Sequence, residues 1–167
     1  MEDWDGIVSR EGPTVWRTVY RLLGNRADAD ECFQDVFLGA LRLARRQPLR
    51  DVRAVLLRMA TARAVDRLRV RYRRRDREMT ADWDNHPSAG ASPTEHAEAQ
   101  ELSARFRDAL ADLPPKQAQA FCLYSLEGCS YQEIAEQLDT SVDAVGVLMH
   151  RARTRLRQLL SPAEKPA

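Results

Sequence analysis

Hydrophobic positions recur at helical spacing along most of the chain. Between residues 29 and 41, apolar side chains fall at i, i+3, i+4, i+7 and i+8, which is the pattern of one buried helix face. A helix before it is predicted to carry Pro13 in its first turn and to stop at Gly24, and a longer one runs from about Asp51 into the seventies. No stretch alternates with the period of a strand, so the pattern predicts an all-α fold.

Helical periodicity is lost in the middle of the chain. Residues 78–101 hold Pro, Gly, Ser and acidic residues with almost no aliphatic side chains, a composition that predicts a flexible linker. The chain is therefore predicted to form two small helical domains, a first lobe at 1–77 and a second lobe at 102–161, followed by a short tail at 162–167. Each lobe is near the lower size limit for independent folding.

The second lobe contains the pattern of a helix-turn-helix. Ser130 and Glu133 form a capping box that opens a short helix, small Ala135 lies where two helices would cross, and Ser141 can cap a longer helix after a short turn. The second helix of this motif enters the DNA major groove. The alternative is a helical hairpin with a solvated, arginine-rich face. The candidate DNA-binding residues on and around this helix are Ser141, Asp143, Gly146, Val147, His150, Arg151, Arg153 and Arg155.

The net charge of +1 hides an uneven distribution. Residues 1–77 hold 18 arginines against 11 acidic residues, whereas residues 78–108 hold 2 arginines against 7 acidic residues. Arginines crowd the end of the predicted third helix, where they are expected to contact DNA phosphates in a salt-dependent manner. A solvated helix end favoured by the helix dipole explains some of them equally well. The candidates for phosphate contact are Arg63, Arg67, Arg69 and Arg71.

Several classes of protein are disfavoured by the composition. The three cysteines (Cys32, Cys122 and Cys129) are widely spaced and include no CxxC pair, so we interpret them as buried core residues rather than as a disulfide framework or a zinc site. No nucleophile, base and orienting group can be assembled, so we expect neither an enzyme nor a cofactor or metal. The absence of a long apolar run and the polar, acidic first residues predict a cytoplasmic protein without membrane insertion.

Residues 110–160 closely resemble the C-terminal domain of the extracytoplasmic-function (ECF) sigma factors of bacterial RNA polymerase. The matching positions are Leu113, Pro114, Pro115, Gly128, Ser130, Tyr131, Glu133, Ile134, Ala135, Ser141, Val142, Val145, His150, Arg151, Ala152 and Arg153. The chain departs from the family at Gly146 and Leu148, where basic residues are usual, and at Asp139, which replaces a turn glycine. In the predicted promoter-melting region, Val55 and Ala62 replace a common Trp and Asn.

The first lobe resembles the core-binding domain of the same family. Residues 22–41 look like its polymerase-docking helix and residues 53–75 like its promoter-melting helices. The resemblance implies a sigma region 2 helical bundle and a sigma region 4 helix-turn-helix, in a factor that directs core polymerase to promoters and aids their opening. It also implies an anti-sigma partner, and docking on the clamp helices of the large polymerase subunit through a polar face. That face comprises Asp30, Glu31, Gln34 and Asp35.

Two other functions remain open at this point. A sigma-like mimic would sequester an anti-sigma factor without binding promoters, and the uncharged Gly146 and Leu148 favour it. An unrelated helix-turn-helix regulator is the other alternative, but such a protein would have no need for the first lobe.

Overall fold

The computed structural model describes residues 3–81 and 95–162, apart from the side chains of 79–81. Within these ranges every regular element is an α-helix, which confirms the all-α prediction. None of the described helices has both the length and the apolar content needed to cross a bilayer. The helices are α1 (Trp4–Leu23), α2 (Arg26–Ala44), α3 (Val52–Ala81), α4 (Glu95–Asp112), α5 (Pro115–Ser125), α6 (Tyr131–Gln137) and α7 (Val142–Leu160).

The first helix begins nine residues before the predicted Pro13. Asp3 caps α1, because its carboxylate accepts a hydrogen bond from the backbone N–H of Gly6 at 3.1 Å, and Ile7 is already buried. Pro13 therefore lies inside the helix, and the prediction that it marks the first turn was wrong. The predicted stop was correct, since Gly24 takes the left-handed conformation with φ 73°.

Helices α1 to α3 form the first lobe as a three-helix bundle. Each of the three helices packs against the other two, and each contributes one stripe of fully buried side chains. The central residues of this packing are Val15, Val19, Leu22, Cys32, Val36, Ala40, Leu56, Ala60 and Ala64. Small alanines on α2 and α3 allow the helix backbones to approach closely.

Helices α4 to α7 form the second lobe, with α7 packed on α4, α5 and α6. A compact cluster of Leu123, Ile134, Ala135, Val145 and Met149 holds the helix-turn-helix together. Ala135 is buried, as its predicted position at the helix crossing requires.

The two lobes share a hydrophobic core. Leu110 and Leu113 are fully buried in the same cluster as the bundle of α1 to α3, and α3 packs against both α4 and α5. Polar contacts cross the same boundary, since Arg107 donates to the carbonyl of Leu22 at 3.1 Å and Thr18 donates to Glu127 at 2.7 Å. The lobes are therefore packed together in this structure.

The predicted linker is partly helical. Residues 78–81 continue α3, and residues 95–101 form the beginning of α4. The remaining linker residues, 82–94, lie outside the described residues, as do residues 163–167 of the predicted tail.

Candidate nucleic-acid interface

Local hydrogen bonds fix the helix-turn-helix of α6 and α7. The capping box is formed in both directions: Ser130 accepts from the N–H of Glu133 at 3.1 Å, and the Glu133 carboxylate accepts from the N–H of Ser130 at 2.7 Å. Asp139 in the turn has φ 50°, the left-handed conformation expected of a residue that replaces glycine. Ser141 then caps α7 by accepting from the N–H of Ala144 at 3.1 Å.

The first half of α7 presents an open face to solvent. Val142, Asp143, Val147, His150 and Arg151 are exposed, and no hydrogen bond or ion pair within the described residues engages the side chains of His150 or Arg151. This side of the helix borders a shallow hollow of about 610 Å³. The packing of the two lobes leaves the face uncovered, so its geometry is compatible with entry into a major groove.

Two further candidates on α7 are turned toward the protein. The guanidinium carbon of Arg153 lies 5.4 Å from the centre of the Tyr124 ring, a cation–π distance. Arg155 donates two hydrogen bonds to Asp112, at 3.1 and 2.7 Å. In this structure neither arginine therefore belongs to the open face that His150 and Arg151 share.

The candidate arginines of α3 are largely engaged within the protein. Arg67 pairs with Glu31 at 3.1 Å and with Asp35 at 2.7 Å on α2. Arg71 pairs with Asp28 and also donates to the carbonyl of Leu23. Arg69 donates to the carbonyl of Leu113 in the second lobe. Arg67 and Arg71 lie one helical turn apart and line the same surface hollow, whereas Arg69 is directed at the second lobe.

The charged contacts between α2 and α3 shift two pKa values. Asp28 accepts a hydrogen bond from Asn25 and pairs with Arg71, and these interactions lower the pKa of its carboxyl despite partial burial. Burial alone would lower the pKa of Arg67, but its hydrogen bonds to Asp35 and Glu31 outweigh burial and raise it. Asp28 and Arg67 therefore both stay charged at neutral pH.

The four predicted polymerase-docking residues lie on one side of α2. Asp30, Glu31 and Gln34 are exposed and Asp35 is half-buried. Glu31 and Asp35 also hold Arg67, so they have a structural role as well. Asp30 borders a surface hollow beside the aromatic rings of Trp16 and Tyr20, which stack with centroids 5.9 Å apart.

A basic groove between the lobes was not predicted from the sequence. It encloses about 770 Å³ and is lined by Arg63 together with four further cationic residues. These are Arg42, Arg46, Arg58 and Lys116. Arg42 lies in the last turn of α2 and Arg46 two residues beyond its end, and their four-residue spacing could have indicated a basic face. Lys116 joins the groove only through tertiary packing.

The cysteines lie in the protein interior, as interpreted from their spacing. Burial raises the pKa of Cys32 to about 11 and that of Cys122 to about 12, so both remain protonated thiols at neutral pH. Among the described residues, no group of His, Cys, Asp or Glu side chains has the geometry to hold a metal ion.

The fold and the open face of α7 define a helix-turn-helix protein, and family comparisons specify which kind. A family model described as "Sigma-70 region 2" matches residues 7–75, and one described as "Sigma-70, region 4" matches residues 103–156. The two matches coincide with the bundle of α1 to α3 and with the part of the chain that contains the helix-turn-helix. The chain belongs to the sigma factors of RNA polymerase, in their extracytoplasmic-function class.

Individual relatives agree with this assignment. The chain is 32% identical over 161 residues to the ECF RNA polymerase sigma factor SigE of Mycolicibacterium smegmatis. That alignment covers 96% of this chain and 63% of the length of SigE. The chain is 33% identical over 132 residues to the ferric citrate uptake sigma factor FecI of Escherichia coli, covering 78% of this chain and 73% of that protein.

A solved structure shares the fold across both lobes. The sigma factor RpoE of Bartonella quintana, in complex with the anti-sigma factor NepR, aligns with a TM-score of 0.55 at 20% identity. The alignment covers 99% of this chain and 100% of the solved chain.

Proposed function

We propose that this chain directs core RNA polymerase to promoters and takes part in their opening, without itself catalysing a reaction. The observation that carries the proposal is the open face of α7, where His150 and Arg151 are exposed on a helix-turn-helix whose partner lobe is a sigma region 2 bundle. Arginine can reach guanine edges or phosphates, and histidine can donate to either. The polymerase would supply the catalysis.

Docking on core polymerase is proposed to use the polar face of α2. Asp30 and Gln34 are exposed, and no hydrogen bond or ion pair within the described residues engages their side chains. An acidic, polar face is electrostatically suited to a basic docking surface, for which we propose the clamp helices of the large subunit. Because Glu31 and Asp35 also hold Arg67, substitution of Asp30 and Gln34 separates docking from folding.

Gel filtration with core polymerase tests the proposed docking through α2, and footprinting on promoter DNA tests the proposed DNA binding through α7. The wild-type chain is expected to co-elute with core and to protect an upstream element. Asp30→Ala with Gln34→Ala should weaken co-elution and leave the melting temperature unchanged. A chain that protects DNA but never co-elutes with core would be an unrelated helix-turn-helix regulator, and the proposal would be wrong.

An anti-sigma partner is part of the proposal. The Bartonella quintana structure contains a sigma factor bound by an anti-sigma factor, and this chain shares that fold across both lobes. The boundary between the lobes offers the basic groove, whose five cationic residues suit an acidic binding segment.

The sigma-mimic alternative is weakened by the position of Leu148. This side chain is partly buried and packs against the small core of the second lobe, so its lack of charge has a structural reason. Only Gly146 remains as an uncharged departure on the open side of α7. A mimic would capture an anti-sigma protein tightly but give no footprint with core polymerase.

A further inference from the structure

The open face of α7 includes two apolar side chains. Val147 is 48% exposed and Val142 is 41% exposed, and together with Gly146 and the ring of Tyr131 they line the hollow of about 610 Å³. Asp143, His150 and Arg151 also line this hollow. The two exposed valines on this face cannot contact phosphates or base acceptors through hydrogen bonds.

Gly146 keeps this hollow open. A Cβ atom built at Gly146 would meet no other group within 4 Å, so the space beside the helix backbone is unoccupied by protein. A base edge can therefore approach the α7 backbone at this position more closely than it could approach a residue with a side chain.

Valine can recognise only one feature of the major groove. It has no hydrogen-bonding group, and the apolar group that the major groove displays is the C5-methyl of thymine. Contact with that methyl distinguishes thymine from cytosine at the same position. The neighbouring His150 and Arg151 supply the polar contacts that hold the helix in register.

We propose that Val147, supported by Val142, recognises the C5-methyl group of a thymine in the upstream promoter element. This inference rests on the proposed function and specifies how part of that function is carried out. Val147 lies four residues, about 6 Å along the helix axis, from Arg151. With a rise of about 3.4 Å per base pair, the thymine lies one or two base pairs from the base or phosphate that Arg151 contacts.

The test removes single methyl groups from the DNA. Each thymine of the upstream element is replaced in turn by deoxyuridine, and the dissociation constant of the holoenzyme is measured at fixed salt with wild-type chain and with Val147→Ala. One substitution should weaken wild-type binding about fourfold, the expected effect of one buried methyl. For holoenzyme that carries Val147→Ala, the same thymine-to-deoxyuridine change should leave the dissociation constant unchanged.

The control for Val147→Ala is the loss of an exposed apolar side chain elsewhere in the second lobe. Leu102→Ala removes a side chain that is 60% exposed on α4 and should leave the thymine-to-deoxyuridine difference intact. Specific binding that is equal on thymine and deoxyuridine, or a difference that persists in Val147→Ala, overturns this inference alone. Failure of the wild-type holoenzyme to bind any upstream element specifically overturns the proposed function together with it.

Discussion

Helices α3 and α7 both carry many arginines, yet Arg67 and Arg71 of α3 and Arg151 of α7 have different surroundings. On α3, Arg67 and Arg71 pair with carboxylates of α2, whereas on α7, Arg151 has no partner within the described residues. The neighbouring helix explains the difference. The acids of α2 that meet α3 follow one another at helical spacing, whereas α7 packs on apolar and small side chains of α5 and α6. Arginine density alone therefore does not identify a DNA contact.

The largest expected effect is on DNA binding through α7. His150→Ala combined with Arg151→Ala should weaken holoenzyme binding to the upstream element by about 2 to 4 kcal/mol, because polar contacts to base edges and phosphates are lost together. Binding is measured by titration of fluorescently labelled duplex. Polymerase association and the melting temperature should be unchanged, since both side chains are exposed.

A matched control removes a charge from the first lobe. Arg17→Ala deletes an exposed cationic side chain of α1 and should leave binding to the upstream element unaltered. If the α7 double variant lost polymerase association and DNA binding equally, the second lobe would have been misinterpreted.

The second effect is on folding stability through α3. Arg67→Ala should lower the free energy of unfolding by about 1 kcal/mol, because it leaves Glu31 and Asp35 without their shared partner. The figure is modest because the two carboxylates are substantially exposed. Urea denaturation measures it, with Arg151→Ala as the control that should stay within about 0.5 kcal/mol of wild type.

Salt dependence sharpens the same comparison. If Arg151 contacts a phosphate, Arg151→Ala should reduce the slope of log binding constant against log salt concentration by about 1, whereas Arg67→Ala should leave the slope unchanged. If Arg67→Ala reduced this salt slope and left the free energy of unfolding unchanged, Arg67 would be a DNA contact.

The smallest effect is a pH dependence at Asp28. Since the folded protein lowers the pKa of this carboxyl below 3.8, its ionised form stabilises the fold above the unfolded-state pKa, and this contribution is lost as the pH falls through the folded-state pKa. Asp28→Asn should cost a few tenths of a kcal/mol at pH 7, typical of an exposed pair, and nothing in strong acid. Chemical denaturation of both proteins from pH 7 to pH 2 measures the difference. A difference independent of pH would contradict stabilisation of the ionised Asp28 by its hydrogen bond from Asn25 and its pair with Arg71.

Local features of the fold were predictable from sequence because they depend on neighbouring residues. The capping box of Ser130 and Glu133, the cap at Ser141 and the left-handed Asp139 each follow from side chains within a few positions. The start of α1 was missed because Pro13 is a strong local signal, although Trp4, Ile7 and Val8 have helical spacing after the true cap at Asp3.

Contacts between distant segments were not predictable in the same way. Arg67 and its partners Glu31 and Asp35 are 36 and 32 residues apart in sequence, and the inward packing of Leu148 depends on the second lobe being assembled. The spacing of Asp28, Glu31 and Asp35 on one face of α2 was nevertheless a usable signal. A row of acids at that spacing beside an arginine-rich helix indicates interhelical pairing as well as docking.

Transcription by core RNA polymerase, with and without the chain, tests the central claim most directly. Core polymerase is incubated with a library of promoter fragments, and the start sites of the transcripts are mapped. We predict discrete start sites that depend on the chain, share an upstream element, and weaken with His150→Ala and Arg151→Ala. Transcripts without defined start sites, the same with and without the chain, would contradict the account.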